Sequence, residues 1–211
     1  MDIYRLTKIF GGALIWSITG RIKVMNKDRL PEDDNYILVG PHRTWWDPVW
    51  YAFAAYPKKF IFMAKAELFK HRPLRWLITE LGAFPVDRKN VGTDVIKYPV
   101  KELRSGERSL IMFPSGSRHS SKLKSGTVLI AKMSGKVIVP AVYQGPVKFS
   151  HLFKRNNCTI NFGEPIVVDR KDKLSDEMIE KYNDQMQAAF DKLDDEVDPN
   201  WVYHDPKQEK K

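Results

Sequence analysis

The chain has 211 residues, 43% hydrophobic and 29% charged, which are the proportions of an ordinary globular protein rather than a fibrous or disordered one. That length carries one domain with a substantial core and is short for two. A formal net charge of +9 points to an anionic partner, whether nucleic acid, phospholipid headgroups or a phosphorylated substrate. Residues 172–211 hold 12 Asp/Glu against 6 Lys/Arg, a net of −6 that leaves +15 on residues 1–171, so the positive field belongs to the body of the fold. The single cysteine, Cys158, excludes an internal disulfide and makes no zinc site by itself, which fits a reducing, cytosolic side. With no paired base beside it in sequence, it reads as a small filler on a strand rather than a catalytic thiol.

Residues 3–18 are apolar but interrupted by Arg5, Lys8 and the Gly11-Gly12 pair. A spanning helix needs about 20 apolar residues, so this stretch is too short and too broken to cross a membrane. Lacking a small-residue cleavage site, it is also a poor signal peptide. Tyr4, Phe10 and Trp16, with Arg5, Lys8, Arg21 and Lys23, fit a helix lying in the membrane interface, and a helix docked on the protein's own core fits them equally.

A polar connector at 26–35 leads to the apolar run 36–40, typical of a buried strand. Similar runs recur at 60–64, 83–86, 109–113, 137–143 and 159–162. Helical stretches separate most of them: 48–55, 66–81 with Pro73 breaking it, 93–104 and 125–133. Strands alternating with helices predict an α/β fold with a largely parallel central sheet flanked by helices. Ser175 then suits an N-cap, with Asp176 and Glu177 in the first turn. Ile179, Tyr182, Met186, Phe190, Leu193 and Val197 follow at helical spacing, predicting a long closing helix whose stripe packs on the core. The expected organisation is an amphipathic membrane-associating helix at 1–25, a single domain at 26–197 and a polar tail at 198–211.

The segment Pro41-His42-Arg43-Thr44-Trp45-Trp46-Asp47-Pro48 joins the first core strand to the next helix, the junction where open α/β sheets bind ligands. Asp47-Pro48 has the form of an N-cap followed by proline at the first helical position. A tight turn there would bring the His42 ring back onto the Asp47 carboxylate. A neutral imidazole that takes the proton of an alcohol as it attacks a carbonyl is worth about 10² to 10⁴ in rate. The carboxylate would hold the ring in the useful tautomer, and a substrate hydroxyl would remove the need for a protein nucleophile. By spacing alone the pair is weak: with five His in the chain, a His-x4-Asp arises by chance in roughly one sequence in three. A structural loop histidine beside a helix-capping Asp47 reads equally well from these two residues.

Four blocks in order change that balance. His42 and Asp47 make a His-x4-Asp block. Gly82 to Arg88 makes a Gly-x5-Arg block, preceded by Ala64-Lys65-Ala66-Glu67-Leu68. Phe113-Pro114-Ser115-Gly116-Ser117-Arg118 and Val139-Pro140-Ala141 complete the set. Together they resemble the glycerol-phosphate acyltransferase superfamily, and within it the lysophosphatidic acid acyltransferases. That resemblance implies His42 as general base and Asp47 as its orienter. In the third block Ser115 stands where the family usually has Glu, and Ser117 where it usually has Thr, so a role tied to that Glu does not carry over.

Arg118 is the first candidate for the acceptor's phosphate, since a guanidinium matches phosphate oxygens bidentately. Lys65 comes second and Arg88 contributes; the plainer reading of all three is solvated surface charge. Gly116, flanked by Ser115 and Ser117 in a tight turn, is a candidate to present a backbone N–H to the developing oxyanion. No phosphate-cradling Gly-x4-Gly-Lys-Ser/Thr loop exists, and neither metal nor cofactor follows from the sequence. Among the aromatics beside the base, Trp50 and Phe53 read as packing, while Trp45 and Trp46 suit either packing or a headgroup-level interface.

The activity implied is acyl transfer from acyl-CoA or acyl carrier protein to the sn-2 hydroxyl of lysophosphatidic acid, forming phosphatidic acid. The implied setting is a phospholipid surface on the cytoplasmic side of the cell membrane, held peripherally or monotopically. Alternatives are glycerol 3-phosphate or another lysolipid as acceptor, or a basic lipid- or nucleic-acid-binding protein without catalysis. Nucleic acid is disfavoured, because Lys and Arg are dispersed rather than clustered with aromatics on one element.

Overall fold

A computed structural model describes residues 17, 19–87, 92–116, 122–154 and 157–205. In chain order the elements are β1 (Lys23–Met25), β2 (Ile37–Val39), α1 (Asp47–Ala54), β3 (Lys59–Lys65), α2 (Arg72–Glu80), β4 (Ala83–Val86) and α3 (Asp94–Ser105). There follow β5 (Arg108–Met112), α4 (Gly126–Ser134), β6 (Ile138–Gln144), β7 (Thr159–Phe162) and α5 (Asp176–Val197). Short 3₁₀ turns occupy Lys27–Arg29, Ala66–Lys70 and Phe149–Lys154.

The strands form one seven-stranded sheet in the order β1-β7-β6-β2-β5-β3-β4. Strands β2 to β6 are mutually parallel; β7 turns back antiparallel to β6, and β1 lies parallel to β7 at the edge. The expected parallel α/β sheet is therefore present, with a reversed pair added on one side. Residues 23–25, assigned above to an N-terminal helix, form β1 instead, because their backbone finds a ladder partner in β7. Residues 1–16, which carry most of that expected helix, lie outside the described residues.

Side-chain alternation sorts the core into two layers. Ile37, Val39, Leu110, Met112, Ile138 and Val142 face α3, α4 and α5. Leu38, Ile111, Val139, Ala141 and Tyr143 face α1 on the other side. The predicted stripe of α5 packs as expected, with Tyr182, Met186, Phe190 and Leu193 all buried. Burying a side chain of this kind contributes about 1.5–3 kcal/mol. Ser175 caps α5, its Oγ accepting the Met178 N–H at 3.2 Å.

The stretch at 66–81 divides as its proline demands: a 3₁₀ turn ends at Lys70, and Pro73 sits in the first turn of α2, where its missing N–H is harmless. No helix among the described residues is long and apolar enough to cross a membrane. Because β2, β3 and β5 run parallel, the loops after Val39, Lys65 and Met112 emerge on the same edge of the sheet, the carboxyl edge where α/β folds place their sites.

Candidate active site

Strand β2 can end where it does only because residue 40 is glycine. A Cβ there would lie 2.5 Å from the Tyr51 hydroxyl oxygen and 2.6 Å from the Ala141 carbonyl oxygen. Past Gly40 and Pro41 the chain turns, and His42 Nδ1 comes to 3.2 Å from Asp47 Oδ2. Asp47 is fully buried. Its Oδ2 also accepts the backbone N–H groups of Arg43, at 2.7 Å, and Thr44, at 2.8 Å, while the Thr44 hydroxyl donates to Oδ1.

These contacts exclude Asp47 as the side-chain cap of α1. Helix α1 begins at Asp47 with no side-chain cap, and the carboxylate turns back to bind the loop that precedes it. Since a carboxylate only accepts, Nδ1 donates to it and Nε2 is left as the basic nitrogen of the neutral ring. The imidazole is held on its face as well, stacked on Phe113 with centroids 4.1 Å apart and planes 20° from parallel. Behind Phe113, the Tyr51 hydroxyl is pushed well above the usual phenol range by burial and then by the Asp47 charge. It stays protonated and donates to the Ala141 carbonyl at 3.3 Å.

Arg43, next to His42, is anchored by α5 and the residues that follow it. Its buried guanidinium donates through Nη1 to the Tyr143 carbonyl at 2.7 Å and to Asp194 Oδ1 at 2.9 Å, and through Nη2 to Asp194 Oδ2. Gln144 Nε2 donates to the same carboxylate at 3.0 Å. Trp201 stacks over the guanidinium at 4.7 Å, and the Tyr203 hydroxyl donates to the Arg43 carbonyl at 3.0 Å. Residues 198–205 are thus not a free polar tail; their aromatics fold back onto the loop that carries His42 and Arg43. Sequence reading missed this clamp, and the aromatic spacing of Trp201 and Tyr203 amid polar residues was its one available signal.

The block after β5 forms a tight turn in which Gly116 takes φ 70° and donates its N–H to the Phe113 carbonyl at 2.8 Å. That corrects the expectation for Gly116: its N–H closes the turn rather than facing an oxyanion. Ser115 is buried. Ser117, Arg118 and Arg88 lie outside the described residues. Lys65 is exposed at the end of β3, on the same sheet edge as His42.

A cation that sequence reading passed over, Lys124, lies against the turn. Its N–H donates to the Pro114 carbonyl at 3.0 Å, and its Nζ would sit 3.1 Å from a Cβ on Gly116. Of the aromatics, Trp46 and Trp50 are buried, Phe53 is half-buried and Trp45 is 62% exposed. Cys158 is buried, and burial pushes its thiol up, as suits a core filler.

The assembly is an oriented imidazole with a basic nitrogen left over, at the open edge of a sheet, with lysines on neighbouring turns. It is equipped to take a proton from a hydroxyl beside an anionic group.

Comparison with known proteins gives matches to acyltransferases. The acyltransferase family profile matches residues 21–144, a span that contains all four sequence blocks. The chain is 51% identical over 185 residues to the 1-acyl-sn-glycerol-3-phosphate acyltransferase of Streptococcus pneumoniae, covering 87% of this chain and 70% of that protein. It is 36% identical over 189 residues to the protein of that name from Bacillus subtilis, covering 86% and 94%. Its fold matches the crystal structure of the 1-acyl-sn-glycerophosphate acyltransferase PlsC from Thermotoga maritima with a TM-score of 0.68, across 95% of this chain and 81% of that one. At 20% identity, that last likeness concerns the fold alone.

Proposed function

This chain belongs to the acyltransferase family, and from that membership we propose that it transfers a fatty acyl group from a thioester to the sn-2 hydroxyl of 1-acyl-sn-glycerol 3-phosphate, forming phosphatidic acid. The observation that carries the mechanism is the 3.2 Å contact between His42 Nδ1 and Asp47, which leaves Nε2 as the base. Nε2 takes the hydroxyl proton as the oxygen attacks the thioester carbonyl. The new C–O bond forms, the C–S bond breaks, and the imidazolium returns its proton to the departing thiolate. Asp47 stabilises the imidazolium while it lasts.

Arg118, Lys65 and Arg88 are the proposed phosphate ligands, and we add Lys124 for its position over the turn at Gly116. The donor is acyl-CoA or acyl carrier protein, both anionic and both suited to a body carrying +15. The acceptor is drawn from a phospholipid surface on the cytoplasmic side of the membrane, where the segment before β1 supplies an interfacial anchor.

The test is a purified acyl-transfer assay with lysophosphatidic acid. His42→Ala is expected to lower kcat by about 10² to 10⁴ without loss of folding; retained activity would remove the mechanism. Running glycerol 3-phosphate and other lysolipids beside it fixes the acceptor, and a single turnover with each thioester fixes the donor.

A further inference from the structure

The crossover between β3 and β4 is built unlike the other helical layers. In α2 every side chain except the half-buried Ile78 is exposed. Trp76 is 59% exposed and Leu77 41%, and Leu68 on the preceding 3₁₀ turn is 43%. An ordinary surface helix buries its apolar stripe, as α5 does. Here the apolar side chains face water, and a contiguous exposed patch of that kind marks an interaction surface.

The pattern identifies the occupant. At 3.6 residues per turn, Pro73, Trp76 and Leu77 fall within an arc of about 100°, with Arg72 and then Arg75 along one side of it. Lys70 and His71 lead into the helix, and Glu67 and Glu80 sit towards the two ends of the segment. Tryptophan and leucine beside arginine are the composition of an element seated at headgroup depth, its cations meeting anionic lipid. The segment leaves β3 directly after Lys65, so it begins on the sheet edge that carries His42.

We propose that residues 66–80 are a docking face for an anionic bilayer, distinct from residues 1–25, which seats the carboxyl edge of the sheet against the lipid that supplies the acceptor. The binding face stands on the exposure and charge of this segment; its service to catalysis rests on the acyl-transfer reading above.

The experiment uses the full chain and vesicles of phosphatidylcholine, alone or mixed with phosphatidylglycerol. Trp76→Ser/Leu77→Ser is expected to partition into the mixed vesicles at least about tenfold more weakly than the unaltered protein. Arg72→Gln/Arg75→Gln is expected to lose about fivefold per charge on mixed vesicles and nothing on phosphatidylcholine alone. Both variants should keep the circular dichroism and the rate on short-chain, monomeric lysophosphatidic acid of the unaltered chain. If the unaltered chain fails on that soluble substrate, the acyl-transfer reading falls while the docking face stands. If the rate is normal and partitioning changes by less than about twofold, the docking face falls alone. A polarity-sensitive fluorophore on Trp76→Cys, with buried Cys158 as the unlabelled control, should shift to the blue when vesicles are added. A label already blue in buffer and unmoved by vesicles means that another part of the chain or a second copy covers the face, which overturns the proposal.

Discussion

Removing the Asp194 carboxylate tests whether α5 holds the loop that carries His42. The Arg43 guanidinium is only 8% exposed, and Asp194 meets it through both oxygens while also accepting from Gln144. Taking one partner from a buried pair costs about 3–5 kcal/mol, because the other charge is left uncompensated. Asp194 is 20% exposed, so water recovers part of that and about 2–3 kcal/mol is expected for Asp194→Ala. For a chain of this size each kcal/mol shifts Tm by about 2–4 °C, so a fall of about 4–12 °C should appear in thermal unfolding. The effect should reach the chemistry too. The Arg43 N–H is one of the donors that aim the Asp47 carboxylate, at 2.7 Å, so kcat should fall more than KM rises. Replacing both partners with apolar residues, Arg43→Met/Asp194→Leu, removes the stranded charge and should recover most of the stability lost by Asp194→Ala. A double variant as unstable as the single one, or an Asp194→Ala protein that melts with the unaltered chain, would refute the clamp.

Further outcomes follow from other contacts. Gly40→Ala sets a Cβ 2.5 Å from the Tyr51 hydroxyl and 2.6 Å from a backbone carbonyl, so urea unfolding should show a loss of about 1–3 kcal/mol. Tyr51→Phe in that background removes only the first clash and should return part of it. Lys124→Ala should raise KM for lysophosphatidic acid with kcat and Tm unchanged, and an unaltered KM would remove Lys124 from the phosphate site. Burial raises the Cys158 thiol and the Tyr51 and Tyr143 phenols, so the native state keeps protons that the unfolded chain releases. Stability from these groups is complete below their unfolded pKa values and is lost as pH climbs past the ordinary thiol and phenol range towards the raised native values. Denaturation curves taken from neutral to strongly alkaline pH should fall in that direction, and less steeply for Cys158→Ala.

The parallel body of the sheet was legible because its strands are apolar runs, and all of them but β6 are followed by a helical stretch. The reversal at β7 was not: residues 159–162 have the same composition in either direction, and only the connection through the 3₁₀ turn at Phe149–Lys154 sets it. Strand β1 escaped notice because Lys23 and Val24 are exposed, so a three-residue edge strand carries no hydrophobic signature. At the site, the ordered blocks located His42 and Asp47, but two residues could not say whether Asp47 capped α1 or held the loop. That was settled by the N–H groups of Arg43 and Thr44, whose direction is a matter of backbone turn. Gly116 was read correctly as a turn and wrongly as a donor, because composition announces a tight bend and says nothing of which N–H closes it. Asp194 stood unnoticed among the acids of α5, its partner being 151 residues away.

That distance has a consequence for the life of the protein. Contacts this remote along the chain are late to form, since the intervening segment must first be brought into place. A polypeptide still emerging from the ribosome, or one broken off before residue 194, holds the whole His-x4-Asp block yet lacks what steadies it. The loop that carries His42 therefore gains its full set of contacts only once α5 has docked against the sheet.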